Sequence, residues 1–227
     1  LGGLNLTIGI LAALNNKNKT GEGEKVDVAL VDSVVSAMQN INMIYLNGGR
    51  IPTRIGNRYE STYPYDSFRT SDGDVIIGAG NDKLYATLCD VMGMPELKED
   101  PRFLTVSDRV KNHAALKELI EAWTMRSTID AVAVQLNKVG VPSTPINTID
   151  RIVKDPQIAG ARKMFPSIRQ PGIGDVPTTN NALKFTNHPA DPETPAPSLG
   201  QDNDTIFQTY ANLSPEQIEL LRKKKII

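Results

Sequence analysis

The first 45 residues switch between two hydrophobic periods, and this switch constrains the fold more than any other feature of the sequence. Residues 4–14 carry apolar side chains at helical spacing, residues 25–30 alternate with the period of two of a strand, and residues 33–44 return to helical spacing. A helix–strand–helix piece of this size cannot bury its own apolar faces. We therefore expect it to be part of a layered α/β domain whose other elements cover it.

The remaining sequence predicts a separate α+β unit followed by a tail. A strand is expected at 74–79, Asn81 is expected to cap a helix that ends near residue 92, and Asn112 is expected to start a helix that ends near residue 125. Ser127 begins the capping signal of a third helix, and Ser214 begins that of the last helix. The segments between them predict a short strand at 141–147, short helices at 148–161, paired strands at 164–186, and a proline-rich loop at 187–204.

Composition and charge exclude several functional classes. The 227 residues are 40% hydrophobic and 22% charged, which is typical of a soluble globular protein, and the net charge of −1 offers no basic excess for nucleic acid. No apolar run approaches the ~18–20 residues of a membrane span. Cys89 is the single cysteine, so no internal disulfide can form, and Cys89, His113 and His188 lack metal-ligand spacing. We expect a cytoplasmic protein that binds no metal, membrane or nucleic acid.

Two segments carry residue types that functional sites use. Residues 54–66 combine aromatic, amide and guanidinium groups without any core-building period, which leaves a binding loop and a structural connector both open. Gly78-Ala79-Gly80 follows a strand and precedes a helix, where a phosphate could bind. Lys83 stands where a dinucleotide fingerprint has its third glycine, so a tight turn is the favoured interpretation.

A collinear series of motifs runs over nearly the whole chain. The motifs are Gly9–Leu14, Thr20–Ser33, Arg54–Asn57, Pro64–Phe68, Gly80–Asp82, Asp100–Phe103 with Arg109 and Asn112, Gly140–Pro142, Pro145–Thr148, Asp155–Gln157 and Pro197–Gly200. In this order they resemble the class III CoA-transferase family, which includes formyl-CoA and carnitine CoA-transferases and the α-methylacyl-CoA racemases. No single motif is specific, but the ordered series is.

The resemblance implies an α/β fold with two domains. The family has a large Rossmann-like domain built from both ends of the chain, a small α+β domain between them, and a homodimer whose subunits interlock like rings. By this resemblance, residues 1–50 are part of the large domain as helix–strand–helix and 51–70 are a linker. Residues 71–180 are the small domain, and 181–227 are a return linker with a C-terminal helix on the large domain. The helix that begins near Leu1 without a cap suggests that an N-terminal part of the large domain precedes it in a longer protein.

The resemblance also implies a reaction. An aspartate attacks an acyl-CoA, an aspartyl-CoA thioester forms, and a carboxylic acid acceptor then takes the CoA; CoA enters as a substrate thioester, and no bound cofactor is expected. The nucleophilic aspartate is expected just upstream of Leu1, so we expect no catalytic residue in this chain and no activity from the chain alone. The residues expected near CoA and its acyl group are Gly2, Gly3, Asn57, Arg58, Tyr65 and Asn81.

Two alternatives remain open. The racemase branch of the family uses an acid/base pair at the acyl α-carbon and places a glutamate where this sequence has Asn81, which cannot take a proton, so transfer is favoured. A non-catalytic fragment, which serves in assembly or CoA binding, is the second alternative. Residues 58–63 replace the glycine-rich loop that some oxalate-using members carry, which disfavours an oxalate or formate substrate.

Overall fold

Residues 1–188 and 194–227 are described by a computed structural model, and they divide into two units, Leu1–Thr144 and Pro145–Ile227. The first unit begins with three helices: α1 (Gly2–Thr20), α2 (Leu30–Ala37) and α3 (Gln39–Gly48). It continues with β1 (Tyr65–Arg69), β2 (Asp74–Gly78), α4 (Asp82–Met92), a 3₁₀ turn (Pro95–Lys98), α5 (Val106–Lys111), α6 (His113–Thr124), α7 (Ile129–Lys138) and the start of β3 (Ser143–Pro145).

The helices α1–α3 leave most of their apolar side chains exposed. Helix α1 extends beyond the predicted residues 4–14 and ends where Gly21 adopts a left-handed conformation, with φ at 82°. Leu4, Ile8 and Leu11 are each at least 60% exposed. The predicted helix over 33–44 is divided at Met38 into α2 and α3. These helices therefore present an uncovered apolar surface, as expected for a piece that cannot bury its own faces.

The predicted strand at 25–30 is not formed. Residues 22–29 have no regular secondary structure, no strand among the described residues pairs with them, and Leu30 already begins α2. A strand needs a neighbouring strand to satisfy its backbone, so its hydrophobic period alone does not create one. The segment instead packs across α1, where a Cβ on Gly9 would lie only 2.7 Å from the side chain of Val26.

A hydrophobic core holds the middle of the first unit together. Strands β1 and β2 are antiparallel, with Tyr65 opposite Gly78 and Arg69 opposite Asp74, and β3 follows β2 in the sheet. One face of β1 and β2 packs against helices α6 and α7, respectively, and α4 packs on α7. The fully buried members of this core include Phe68, Val75, Ile77, Leu88, Cys89, Phe103, Leu116, Ile120, Val132 and Leu136. Cys89 is therefore a core thiol, as predicted.

The local helix signals are confirmed with one shift. Asn81 caps α4, Gly93 ends it with φ at 71°, and α6 begins directly after Asn112. The cap of α7 is Thr128 rather than Ser127, because the Thr128 hydroxyl accepts a hydrogen bond from the third amide of the helix. The predicted connecting segment 47–67 was too long, since α3 continues through Gly48 and β1 begins at Tyr65.

The second unit contains α8 (Ile149–Ile152), a π-helical turn (Pro156–Ala161), the hairpin β4 (Ser167–Gln170) with β5 (Gly174–Pro177), α9 (Asn203–Ala211) and α10 (Pro215–Lys223). The predicted strand pair and the capping box at Ser214 are confirmed. The side chain of Gln170 makes two hydrogen bonds of 3.0 Å with the backbone of Ala196 and ties the hairpin to the tail. Part of the predicted loop at 187–204 lies outside the described residues, and its end forms the start of α9.

Two properties of the described part can be stated directly. None of the helices within residues 1–188 and 194–227 combines the length and hydrophobicity that crossing a membrane requires. Within the same ranges, no group of three His, Cys, Asp or Glu side chains is arranged to hold a metal ion. The domain limits that the resemblance suggested at residues 50, 70 and 180 stay predictions.

Candidate functional site

The segment 57–65 folds back onto the end of the β1–β2 pair. The amide of Tyr59 donates to the carbonyl of Tyr65 at 2.8 Å, and the amide of Ala79 donates to the carbonyl of Pro64 at 2.8 Å. The hydroxyl of Thr62 donates to the carbonyl of Gly80 at 3.1 Å. The chain thereby brings four of the predicted site residues, at positions 57, 58, 65 and 81, into the neighbourhood of one sheet end and one helix start.

Gly78 and Gly80 allow this close approach. A Cβ on Gly80 would lie 2.5 Å from the Thr62 hydroxyl oxygen, and one on Gly78 would lie 3.1 Å from the ring of Tyr65. A real side chain does not tolerate the first distance, so a larger residue at position 80 would have to displace the side chain of Thr62. The glycines at this turn are thus explained by packing, in agreement with the interpretation as a tight turn.

Asn81 acts as the N-cap of α4. Its side-chain oxygen accepts a hydrogen bond of 2.9 Å from the amide of Leu84, and its backbone is extended, as a cap requires. Asp82 follows in the first turn, where a negative charge complements the helix dipole. The Asn81 amide neither gains nor loses a proton near neutral pH, so this position offers a hydrogen-bonding group but no acid or base.

The side chains of Asn57, Tyr59 and Tyr65 remain accessible, whereas Tyr63 of the same segment is buried. Tyr65 is 44% exposed, and its ring centre lies 5.5 Å from that of Tyr59. Asn57 donates a hydrogen bond of 3.2 Å to the hydroxyl of Ser67 on β1. Among the described residues, the guanidinium of Arg58 contacts the carbonyls of the two residues that follow it, at the long distances of 3.4 and 3.5 Å.

A groove of about 560 Å³ runs between this segment and the junction of α2 and α3. The Asn40 side chain donates to the hydroxyl of Tyr59 at 2.7 Å and connects the two walls. Glu60 pairs with Arg50 at 2.6 Å, so its charge is compensated. The remaining lining residues include the apolar side chains of Met38, Ile41, Ile44 and Ile55, together with Gln39, Arg58 and Ser61.

A second, smaller cavity has a volume of about 250 Å³. It is lined by Tyr65, Ile76, Gly78, Asn137, Pro142, Ser143 and Thr144. The Asn137 side chain is already used, because it donates to the carbonyl of Ser143 and accepts from the Ser143 amide. Tyr65 thus lines the smaller cavity, whereas Arg58 and Tyr59 line the larger groove.

Gly2 and Gly3 are located elsewhere in the first unit. Both belong to the first turn of α1, where a side chain on Gly2 would overlap Leu30 and one on Gly3 would meet no neighbour. Neither glycine lines the groove or the smaller cavity. Of the other four predicted site residues, Arg58 lines the groove and Tyr65 lines the smaller cavity, whereas Asn57 and Asn81 line neither. The role of all six stays a prediction.

Arg109 is a residue that sequence reasoning included only as a family motif. It is fully buried, and its Nε donates to the carbonyl of Tyr63 at 3.0 Å. One terminal nitrogen donates to the carbonyl of Phe103 at 3.0 Å, and the other donates to the carboxylate of Asp82 at 2.7 Å. A lone arginine in a helical pattern gives no sequence signal for such contacts. Arg109 joins the site segment to the first residue of α4.

Burial keeps the hydroxyl of Tyr63 protonated. Burial, and then the nearby carboxylates of Asp66 and Glu121, raise the pKa of Tyr63 far above its usual value of 10. Its hydroxyl is buried and lacks a hydrogen-bond partner among the described residues. His113, whose ring centre lies 5.9 Å from that of Tyr63, holds its Nδ1 3.0 Å from the carbonyl of Val110. These groups are structural and do not supply an acid/base pair to the groove.

Comparisons with known proteins show what the whole sequence is similar to. Residues 1–203 match the model of CoA-transferase family III. The chain is 32% identical over 221 residues to succinyl-CoA–D-citramalate CoA-transferase from Chloroflexus aurantiacus, covering 97% of this chain and 55% of that protein. It is 31% identical over 202 residues to succinyl-CoA:glutarate CoA-transferase from Homo sapiens, covering 88% of this chain and 45% of that protein.

Solved structures give the same result for the fold. The crystal structure of a CaiB/BaiF family protein from Brucella suis has a TM-score of 0.72 and 36% identity, covering 90% of this chain and 53% of that chain. Rv3272 from M. tuberculosis has a TM-score of 0.73 and 27% identity, covering 89% of this chain and 53% of that chain. The predicted α/β fold class is confirmed, and the chain spans about half the length of the relatives it matches. This chain belongs to CoA-transferase family III.

Proposed function

We propose that the complete protein moves CoA from an acyl-CoA donor to a carboxylic acid acceptor. The match of residues 1–203 to the family model carries this proposal, and relatives named for CoA transfer support it. The acids in their names, such as citramalate, mesaconate and glutarate, are dicarboxylic acids. Because the chain spans about half of each relative, the activity is proposed for the complete protein rather than for residues 1–227 alone.

The proposed reaction proceeds through the carboxylate of an aspartate. This carboxylate attacks the thioester carbonyl, the CoA thiolate leaves, and a mixed anhydride forms. The thiolate then attacks the aspartyl carbonyl, which releases the donor acid and leaves an aspartyl-CoA thioester. The acceptor carboxylate then attacks the aspartyl-CoA carbonyl, the CoA thiolate leaves, and a second mixed anhydride forms. The thiolate attacks the acceptor's carbonyl in this anhydride, which releases the new acyl-CoA and restores the aspartate. An ionised carboxylate needs no separate base to act in this way.

The nucleophile is proposed to lie N-terminal to Leu1. Residues 1–26 contain no aspartate, and the family resemblance assigns the nucleophile to a position just before this sequence. In this proposal Gly2 and Gly3 begin the helix that follows the nucleophile, and the N-terminus of α1 stabilises negative charge that develops nearby. Asn57, Arg58, Tyr65 and Asn81 lie beside the acyl end of CoA. The interlocked homodimer and a cytoplasmic location are part of the same proposal, by resemblance.

Trapping the intermediate tests the mechanism. The complete protein is incubated with an acyl-CoA donor in the absence of an acceptor, treated with hydroxylamine, and digested for peptide mass spectrometry. We expect one aspartate N-terminal to Leu1 to become a hydroxamate, only when acyl-CoA is present. Modification of an aspartate within residues 1–227, or of none, contradicts the proposed nucleophile.

Racemisation is the alternative reaction, and Asn81 bears on it. The racemase branch needs a proton-transferring group where this chain has a capping amide. The complete protein, incubated with a chiral 2-methylacyl-CoA in deuterated water, should therefore leave the α-carbon free of deuterium. Rapid deuteration without any acceptor acid would assign the protein to the racemase branch.

A further inference from the structure

We propose that Arg58 selects dicarboxylic acids, because its guanidinium binds the carboxylate that does not react. The carbon chain of the acid would lie in the groove between residues 55–61 and the α2–α3 junction. This inference depends on the proposed CoA transfer and names the class of acid that the transfer uses.

The shape of the groove suits a short carbon chain with one charged end. Its volume of about 560 Å³ is within the range of about 300–1,000 Å³ that is usual for small-molecule sites. Met38, Ile41, Ile44 and Ile55 supply apolar surface for the methylene groups. Arg58 lies in the same lining, so a substrate can satisfy both kinds of surface at once.

The charge of the groove favours an anion at Arg58. Among the described residues that line the groove, Arg58 is the one basic side chain, and the acidic Glu60 is already paired with Arg50 at 2.6 Å. The contacts of Arg58 with two backbone carbonyls are long, 3.4 and 3.5 Å. A carboxylate would replace them with two parallel, shorter, charge-assisted hydrogen bonds, the geometry that guanidinium groups prefer.

Selectivity follows from what a monocarboxylic acid would leave behind. Such an acid, with its single carboxylate at the reacting end, would place a methyl group beside the guanidinium and exclude water from it. A charged group without a partner in a partly buried groove is costly, and sites built to bind a polar group reject analogues that lack it. Arg58 therefore discriminates between acids of the same chain length by their second charge.

The experiment compares two five-carbon acids in the complete protein. Glutarate and valerate have the same chain length, but glutarate carries two carboxylates and valerate carries one. The value of kcat/KM is measured for each acid as the CoA acceptor, with the same acyl-CoA donor. The variants are Arg58→Gln and Arg58→Lys. Arg54→Gln is the matched control, because Arg54 is an exposed arginine of the same segment outside the groove lining.

We expect Arg58→Gln to lower the ratio of kcat/KM for glutarate to that for valerate by about 10- to 100-fold, the value of a hydrogen bond to a charged group. Arg58→Lys keeps a point charge and should lower the ratio less, while Arg54→Gln should change it by less than about twofold. Thermal unfolding shows whether each variant is folded. A ratio is insensitive to a general loss of active protein, which would lower both values equally.

Other outcomes overturn the inference in distinguishable ways. An equal loss for both acids with a higher KM for the acyl-CoA would mean that Arg58 binds a CoA phosphate instead. An unchanged ratio, or a wild-type preference for valerate, would mean that Arg58 does not select the acid, although CoA transfer itself would stand. A wild-type protein that transfers CoA to no carboxylic acid would overturn the proposed function as well.

Discussion

Replacement of Arg109 by methionine should destabilise the first unit far more than any substitution of an exposed arginine. The Arg109 guanidinium is fully buried, and it donates to the backbone carbonyls of Tyr63 and Phe103 and to the carboxylate of Asp82. It also lies over the ring of Tyr85, at 4.5 Å from the ring centre. Methionine has a similar length and fills the space, so the change removes hydrogen bonds and charge without opening a large cavity.

The magnitude follows from the groups that lose a partner. The carbonyls of Tyr63 and Phe103 lose a donor at 3.0 Å, and each unsatisfied buried group costs about 1–3 kcal/mol. The contacts with the carbonyls of Leu104 and Gly80 are longer, 3.4 Å, and contribute less. Asp82 is 76% exposed in its side chain, so water can hydrate its carboxylate and its contribution is small. Removing a buried guanidinium also avoids its desolvation penalty, which offsets part of the loss. We expect a net loss of about 2–4 kcal/mol.

Hydrogen exchange of α4 and α6 in the complete protein measures this loss locally, because amide exchange reports the free energy of opening of each unit. Arg102→Met is the control: Arg102 is a nearby arginine with a 54% exposed side chain that pairs with Asp100 at 2.7 Å. An exposed pair of this kind is worth about 0–1 kcal/mol. A loss below about 1 kcal/mol for Arg109→Met, or one equal to that of the control, would refute the role assigned to Arg109.

Three further predictions concern single side chains. Asn81→Ala should lower the protection of the first-turn amides of α4 against hydrogen exchange by about 1 kcal/mol, whereas Asn81→Asp, which still caps the helix, should not. Equal protection in Asn81→Ala and the wild type would contradict the capping role. Burial alone would raise the pKa of Glu121, but the hydrogen bonds and charge of Arg69 outweigh burial and lower this pKa below its usual value of 4.5. The contribution of Glu121 to stability is therefore full above about pH 4.5 and is lost as the pH falls through the lowered pKa. Glu121→Gln should flatten this part of the acid unfolding curve, and an unchanged curve would contradict the prediction. Tyr65→Ala in the complete protein should lower kcat/KM for CoA transfer while it changes the melting temperature little, because Tyr65 is half-exposed. An unchanged kcat/KM would mean that the segment is only a structural connector.

Local signals account for the parts of the fold that the sequence predicted well. The caps at Asn81 and Ser214 and the end of α4 at Gly93 depend on side chains within three residues of the helix end or on the conformation of one glycine. The strands of the β4–β5 hairpin are likewise close in sequence. Such features are decided by nearby residues, so a single sequence contains enough information for them.

Features that depend on distant residues were missed. The alternation at 25–30 is real, but a strand requires a neighbouring strand, and none pairs with it among the described residues. Arg109 contacts carbonyl groups as far as 46 positions away, and every residue has a carbonyl, so the pattern of side chains carries no signal for them. The groove likewise combines residues from two segments, 37–44 and 55–61, that only the fold brings together.

The central claim is that the complete protein exchanges CoA between two acids, and one measurement tests it most directly. The complete protein is mixed with succinyl-CoA and a panel of ¹³C-labelled mono- and dicarboxylic acids, and the thioesters are followed by mass spectrometry. We expect a labelled acyl-CoA to appear as succinate is released in equal amount, without free CoA, and no exchange from residues 1–227 alone. Release of free CoA without a new thioester, or no exchange with any acid of the panel, would contradict the account.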